Sequence, residues 1–397
     1  MSIDVAQVAV PPEEELSMAE QFALEYDVSV EEASRLLNVQ AEAGDLVSIL
    51  ASKFGEGAFD AQTEVRDGSV SLLLRTEDDT IAHLAESLAD SKKVTLTIEA
   101  TRPFASHTQT LEEAIPRFAA IYPDGGLQGV YIDKSSGEIV LDVKESSDAQ
   151  RAAAEEVASS VVASDAEWAA SARKVESSFA RVEASGEEAG DAAIMRGGNR
   201  VTGGGGICTA GFTAQTGTTS ISNRGYWTAG HCGTSLSWYA NPGGSGSTYG
   251  SSYSSAAYNS SADIAYFTII PSTHSTYTTF YGDSLSTPRQ NPQSISLALV
   301  GSYLCHRGIT TGYQCGEVTS NEYAPTWSNA CNGMTCQARF VRVAADQAGG
   351  DSGGPWLWTN GTGTNRAYGI HKSGASTWSV FSKLSYAPAS TRLRYNY

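Results

Sequence analysis

The chain has 397 residues, of which 44 are Asp or Glu and 26 are Lys or Arg, so its formal net charge is −18. This length predicts two or three domains with sizeable cores, and no uninterrupted apolar run is long enough to span a membrane. We therefore expect no membrane association, and we expect no nucleic acid as a partner.

The charge is divided unequally between the two halves of the sequence. Residues 1–191 contain 38 acidic and 14 basic residues, whereas residues 192–397 contain 6 acidic and 12 basic residues. The first half is rich in Ala, Glu, Ser and Val, and the second in Gly, Ser, Thr and Tyr. Because opposite fields attract, we expect the halves to dock on each other. The alternative is that the acidic half only keeps the chain soluble.

The first half contains three helix signals. Ser29–Glu32 reads as a capping box before the apolar-periodic run 34–54, and Thr110–Glu113 reads as a second box that opens a helix over 111–121. An Ala- and Glu-rich segment at 148–160 predicts another helix.

Strand signals alternate with these helices. Residues 69–75 (SVSLLLR) and 93–100 (KVTLTIEA) have strand-like patterns, and 129–143 reads as a hairpin around a Lys-Ser-Ser-Gly turn. The first half is therefore predicted to be α+β. It shows no catalytic constellation, and we expect His83 and His107 to be surface residues.

The composition changes abruptly over residues 187–206 (EEAGDAAIMRGGNRVTGGGG). Beyond this point many short β-prone stretches are separated by Gly, Ser, Asn and Pro, which indicates an all-β sandwich or barrel with little helix. The Gly/Ser/Tyr-rich stretch 241–261 reads most simply as strands and loops. A binding or adhesion module is the alternative that it suggests.

Every cysteine lies in the second half. An even number in one sparsely charged module points to disulfides and to an oxidising compartment, although six cysteines allow 15 pairings. A zinc site is disfavoured because the chain has no CxxC pair and no two close histidines, and we expect neither metal nor cofactor. The cysteines are Cys208, Cys232, Cys305, Cys315, Cys331 and Cys336.

Three separated residues could form a nucleophile with its base. Ser352 lies in the glycine-rich loop 349–354, and a serine hydroxyl needs a base to take its proton. His231 (in WTAGHCG) is a candidate base that a disulfide through Cys232 would hold rigid. Asp263 opens the apolar strand DIAYFTII, where a buried carboxylate could orient the imidazole and stabilise imidazolium.

These motifs carry a family resemblance. The segments TAGHC, ADIA and GDSGGP, in that order, resemble the chymotrypsin-like serine proteases, and residues 304–319 (LCHRGITTGYQCGEVT) are similar to the bacterial α-lytic protease/streptogrisin group. The resemblance covers 192–397. Residues 1–191 are similar in size and kind to the pro-regions of that group, which assist folding and then inhibit the protease until cleaved. It implies an α+β pro-region followed by an all-β, chymotrypsin-like double β-barrel with the site between the barrels.

The resemblance also assigns roles. It makes Ser352 the nucleophile, His231 the general base and then acid, and Asp263 the orienting carboxylate. The backbone N–H groups of Gly350 and Ser352 form the oxyanion hole, which explains the glycines, since two N–H groups must converge beside one hydroxyl. By resemblance we expect the disulfides Cys208–Cys232 and Cys305–Cys315, and by elimination Cys331–Cys336.

One departure from the group concerns Asp351, the residue before the nucleophile. In the group, an arginine after the first cysteine of the C…TTGYQC segment commonly pairs with this aspartate. Here His306 holds that position and Arg307 follows, so the partner of Asp351 is open, and a histidine would make the pairing pH-dependent.

The strand after the nucleophile should form the wall of the specificity pocket. We expect His371, Lys372, Ser373 and Gly374 to contact substrate. Glutamate-specific relatives use a histidine at the His371 position for an acidic side chain at P1, the residue on the acyl side of the cleaved bond. Small-apolar or aromatic P1 residues are the alternatives, with His371 packed beside the pocket and Lys372 pointing to solvent.

Together these features predict the zymogen of a secreted serine endopeptidase, processed by itself near residue 191, where Asp191 would be the P1 residue. We expect polypeptide substrates, its own pro-region as a bound partner, and a monomer. Because the sequence begins without a signal-peptide pattern, we expect a signal to have been removed. A catalytically dead homologue used for binding, or a first half that persists as a stable partner domain, are the alternatives.

Overall fold

The computed structural model describes residues 15–66, 68–162, 170–174, 193–203, 206–217, 223–270, 274–292, 294–359 and 364–395. The expected processing junction at residues 191 and 192 lies outside these ranges. Within them, no helix is both long enough and apolar enough to cross a membrane.

The described α-helices lie in the first half and follow its apolar periodicity. Ser29 caps α2 as predicted, accepting a hydrogen bond from the Glu32 N–H (3.1 Å). The second predicted capping box is wrong: α4 begins at Thr108, because a 3-10 turn over Phe104–His107 runs straight into it. The helices are α1 Met18–Tyr26, α2 Val30–Phe54, α3 Asp79–Lys92, α4 Thr108–Ile121 and α5 Asp148–Val162.

The first half combines helices with two separate groups of three strands, which confirms the α+β prediction. The antiparallel pair β1–β2 continues into a parallel β2–β3 pair, and the predicted hairpin is the antiparallel pair β4–β5 with β6 parallel to β5. His83 is exposed as expected, whereas His107 is half-buried where α4 begins. The strands are β1 Asp60–Arg66, β2 Ser69–Arg75, β3 Thr95–Glu99, β4 Leu127–Ile132, β5 Ile139–Val143 and β6 Ala170–Lys174.

The second half is built almost entirely from strands, as its composition predicts. They are β7 Ile194–Gly197, β8 Arg200–Gly203, β9 Gly206–Thr209, β10 Thr213–Thr216, β11 Arg224–Thr228, β12 Leu236–Tyr239, β13 Thr248–Tyr258, β14 Asp263–Ile269, β15 Ser275–Phe280, β16 Arg289–Gln290, β17 Tyr303–Gly308, β18 Gly312–Pro325, β19 Phe340–Val343, β20 Pro355–Thr359, β21 Asn365–Ala375, β22 Trp378–Lys383 and β23 Thr391–Leu393.

These strands make the expected double β-barrel. One sheet has the order β23-β10-β11-β14-β13-β12-β8-β9. The other has the order β17-β20-β21-β22-β19-β18-β4-β5-β6, and the pairing of β17 with β18 closes its first six strands into a barrel. The loop that carries His231 follows β11 and Asp263 opens β14, whereas Ser352 precedes β20. The candidate site therefore forms where the two barrels meet.

One buried hydrophobic cluster includes residues of both halves. Phe22 of α1 packs edge-on against Tyr303 of β17, with ring centroids 5.1 Å apart, and both belong to a buried cluster that also includes Trp356. Strand β4 adds to the edge of the second barrel through antiparallel pairing with β18. Acidic groups of the first half meet basic groups of the second in the pairs Glu15–Arg307, Asp45–Arg366, Glu56–Lys383 and Asp142–Arg342.

Candidate active site

His231 stands between Asp263 and Ser352. Its Nδ1 lies 2.6 Å from Asp263 Oδ2, and its Nε2 lies 2.9 Å from Ser352 Oγ. The backbone N–H of His231 also donates to Asp263 Oδ1 (2.9 Å), so both carboxylate oxygens orient this residue. Since a carboxylate can only accept, Nδ1 carries the proton and Nε2 presents a lone pair to the serine hydroxyl. The structure thus brings together three residues that lie up to 121 positions apart.

The Asp263 carboxylate is completely buried at the start of β14. Burial by itself raises the pKa of Asp263, but the positive charges and hydrogen bonds of His231 and Lys372 outweigh that effect and hold the pKa well below its usual value. The backbone N–H of Asp263 is fixed by the hydroxyl of Ser382 on β22 (2.9 Å). Asp263 is therefore a rigid, ionised anchor for the imidazole.

The loop before Ser352 leaves two backbone N–H groups without a protein acceptor among the described residues. The Thr310 hydroxyl donates to the Gly349 carbonyl (2.7 Å), and because a trans peptide opposes its C=O and N–H, the Gly350 N–H points the other way. Gly350 has φ +108°, a left-handed conformation that favours glycine. In the described part of the chain, no protein acceptor bonds to the N–H of Gly350 or of Ser352. Both donors are available to an oxyanion.

The Asp351 carboxylate is hydrogen-bonded by groups of its own loop and of the neighbouring residues 310 and 311. Its carboxylate accepts from the N–H groups of Thr310 (2.8 Å), Thr311 (3.1 Å) and Ala348 (2.8 Å), and from the Thr311 hydroxyl (2.7 Å). Hydrogen bonds within the two loops therefore saturate the carboxylate, and these loop groups are the partners of Asp351 that the sequence left open. His306 instead bonds the carbonyl of residue 346 through Nε2 (2.9 Å).

His371 and Lys372 are buried. The His371 Nδ1 accepts from Trp356 Nε1 (3.2 Å), and burial, reinforced by His306 and His231, holds the pKa of His371 well below its usual value. Lys372 does not point to solvent: it is 1 % exposed, and its Nζ lies 2.9 Å from Asp263 Oδ2. Its carbonyl oxygen lies 3.2 Å from Ser352 Oγ and so competes with His231 Nε2 for the single proton of that hydroxyl.

An open cleft of about 800 Å³ adjoins these residues. Ser373 lines it, whereas Gly374 pairs with Ser379 of β22 in the strand interior. The segment between β18 and β19 supplies one wall through Trp327 and Asn329, which the sequence did not single out. The lining residues are His231, Tyr258, Trp327, Ser328, Asn329, Ala330, Gln347, Ala348, Gly349, Ser352, Lys372 and Ser373.

Three disulfides connect the pairs that were expected. Cys208–Cys232 ties β9 to the turn that carries His231, Cys305–Cys315 links β17 to β18, and Cys331–Cys336 closes the loop beside the cleft. In the ranges that the structure covers, no three His, Cys, Asp or Glu side chains cluster in a way that could hold a metal ion.

Sequence reasoning missed Thr310, Tyr258 and the amine of Lys372. Thr310 lies in the segment 304–319, which the sequence had already singled out. The contact of its hydroxyl with the Gly349 carbonyl, 39 residues further along, leaves no pattern in the sequence. A buried lysine amine has no sequence signal, because lysines are mostly exposed.

No protein-family model matches the chain. Among solved structures, protease A of Thermobifida fusca is similar at 26% identity, over 51% of this chain and 100% of that one, with a TM-score of 0.40. A Nocardiopsis protease is similar at 24% identity over the same shares, with a TM-score of 0.39. A third is described as a glutamic acid specific serine protease with a histidine triad in substrate binding (22% identity, 48% of this chain and 94% of that one, TM-score 0.35).

Proposed function

We propose that the chain is the zymogen of a secreted serine endopeptidase that hydrolyses peptide bonds through an acyl-enzyme on Ser352. The observation that carries the proposal is the placement of His231, 2.6 Å from Asp263 and 2.9 Å from Ser352. A serine hydroxyl is a poor nucleophile until a base removes its proton, and this arrangement supplies an oriented base.

In the first step the Ser352 oxygen bonds to the carbonyl carbon of the substrate. The hydroxyl proton passes to His231 Nε2, and the carbonyl electron pair moves onto oxygen, where the N–H groups of Gly350 and Ser352 receive it. Imidazolium, held by the Asp263 carboxylate, then gives its proton to the leaving amine as the C–N bond breaks. Water, deprotonated by the same nitrogen, attacks the resulting ester and releases the acid and the free serine.

Residues 1–191 act, in this proposal, as an intramolecular folding assistant and inhibitor. The added strand β4 and the shared core around Phe22 and Tyr303 support that role, because they cover apolar surface of the second half. Asp142 reaches Arg342 at 2.8 Å with both side chains buried, so charge complementarity fixes the register of the contact. Cleavage near 191 would release this half and leave residues 192–397 as the mature enzyme.

An acidic P1 preference is supported by one feature of His371. Since Nδ1 accepts from Trp356, the proton of the neutral ring sits on Nε2, which is buried and has no protein partner among the described residues. A buried donor without an acceptor is costly, and a substrate carboxylate would satisfy it if it reached past the residues that line the cleft, since His371 does not itself line it. Small-apolar or aromatic P1 residues remain the competing specificities.

A P1-varied peptide library tests the activity and the specificity together. The purified chain, after its processing is verified by N-terminal sequencing, is incubated with the library with and without a serine-reactive inhibitor. Inhibitor-sensitive cleavage after Glu or Asp supports both proposals, and cleavage after other residues supports the activity alone. No inhibitor-sensitive cleavage would support the alternative of a non-catalytic, protease-like binding protein.

A second readout tests the processing proposal. Mass spectrometry of the secreted wild-type chain should show two fragments that meet near residue 191, and Ser352→Ala should remain one chain. Persistence of an intact first half on the active wild-type protein would indicate a stable partner domain.

A further inference from the structure

The amine of Lys372 lies directly beneath the proposed catalytic aspartate. Its Nζ is 2.9 Å from Asp263 Oδ2 and also donates to the Ala330 carbonyl, and the residue is 1 % exposed. The mechanism above does not use this amine. A buried cation is expensive unless it is paired, so its contact with a reacting triad calls for a role.

Aromatic rings hold the amine in place. Its Nζ lies 5.8 Å from the ring centroid of Tyr258, 5.9 Å from that of Trp327 and 5.3 Å from that of Phe340, within the range of cation–π attraction. These rings come from β13, from the segment after β18 and from β19. Three separate elements thus converge on one lysine, which restricts the amine to the Asp263 side.

The amine and the imidazole draw on the same oxygen. His231 Nδ1 and Lys372 Nζ contact Asp263 Oδ2 at 2.6 and 2.9 Å, so the two nitrogens are at most about 5.5 Å apart. The other titratable groups around them are Tyr258 on β13 and His371 on β21. Burial raises the pKa of Tyr258 and lowers that of His371, so both are neutral, and the ammonium is the charge that opposes imidazolium.

We propose that Lys372 is a positioning residue that shares the Asp263 carboxylate with His231 and thereby keeps the imidazole unprotonated, and the triad active, at lower pH than Asp–His–Ser alone would allow. The proposal rests on the proposed protease function. The proposal also gives the rings of Tyr258, Trp327 and Phe340 a role, since they hold the ammonium close enough to His231 for its charge to oppose protonation of the imidazole. A positive charge at this distance, in an effective dielectric near 20 and partly screened at the exposed imidazole edge, is worth about one to two pH units.

The test is the pH profile of kcat/KM for Lys372→Gln, which retains a hydrogen-bond donor of similar length without the charge. We expect the midpoint of the acid limb to move to higher pH by about one unit or more. Lys372→Met, which removes the donor as well, should move the midpoint in the same direction. Lys383→Gln is the control, because it removes the charge of another lysine of the second half, on β22, whose ion pair is with Glu56 and not with the triad; its midpoint should equal that of wild type.

A second measurement reads the same coupling without turnover. NMR titration of labelled histidines in the full-length Ser352→Ala chain should show the His231 midpoint moving to higher pH when Lys372→Gln is added. If the wild type hydrolyses nothing, the proposed protease function fails, and this titration still decides the coupling. Variants that lose rate at every pH while keeping the wild-type midpoint would overturn the proposal and leave Lys372 a purely structural role.

Discussion

The hydroxyl of Thr310 should matter to catalysis although its hydrogen bond is to the Gly349 carbonyl and not to the triad. It donates to the Gly349 carbonyl at 2.7 Å and so directs the Gly350 N–H toward the oxyanion position. Thr310→Val removes that bond and leaves the shape of the side chain nearly unchanged. The Thr310 N–H bond to Asp351 (2.8 Å) is a backbone contact and stays in place.

The magnitude follows from the value of one hydrogen bond. A neutral bond of this kind contributes about 0.5–1.5 kcal/mol net, and Gly349 is exposed, so water replaces part of it. The misdirected peptide therefore gains population, and kcat should fall by roughly 2- to 10-fold. KM should change little, because the oxyanion forms only in the transition state.

The assay is steady-state kinetics on a peptide substrate with Thr310→Ser as the matched control, since serine keeps the hydroxyl. Gly350→Ala gives the upper limit of the expected loss of kcat. Its Cβ would lie 2.4 Å from Thr310 Oγ1 at a φ of +108°, and we expect kcat to fall by about 10²- to 10³-fold. Unchanged kcat in Thr310→Val, or equal losses in the Val and Ser variants, would refute the reasoning.

Other predictions concern stability, measured on the full-length Ser352→Ala chain. Asp142→Ala strands the buried guanidinium of Arg342 and should lower the free energy of unfolding by about 3–5 kcal/mol in urea titrations. Gly225→Ala places a Cβ 1.7 Å from the Phe267 carbonyl oxygen across the β11–β14 pair, so a loss of about 3 kcal/mol or more should appear in thermal denaturation. Because the folded-state pKa of His371 lies well below the ordinary 6.5, the unfolded chain binds more protons, and stability should fall as pH drops below about 6.5; His371→Gln should flatten that slope.

The strand pattern and the short motifs predicted much of the architecture. Alternating and clustered apolar residues at 69–75 and 129–143 identified β2 and the β4–β5 hairpin, because strand periodicity is local information. The start of α4 was misplaced by three residues, since a preceding 3-10 turn supplied what a cap would have supplied. Helices α1 and α3 were not predicted; the buried face of α3 consists of Ile81, Ala85 and Ala89, and its two alanines give only a weak apolar signal.

The residues of the candidate site also fall into two groups, those that local motifs predict and those that they do not. Ser352, His231 and Asp263 could be foreseen because each stands in a motif with its own local logic. Lys372 and Asp263 lie 109 residues apart in the sequence, and their contact depends on how β21 packs against β14. Local sequence patterns do not encode that packing. The same holds for Asp142 and Arg342: the opposite charges of the halves predicted attraction, but only docking chooses the partners.

The measurement that tests the central claim most directly is covalent labelling by a serine-reactive fluorophosphonate, followed by peptide mass spectrometry. The reagent reacts with a serine that a neighbouring base has activated. We predict a single adduct on Ser352 in the wild-type chain, none in Ser352→Ala, and strongly slowed labelling in His231→Ala. A wild-type chain that stays unlabelled, or that is labelled equally in His231→Ala, would contradict the account.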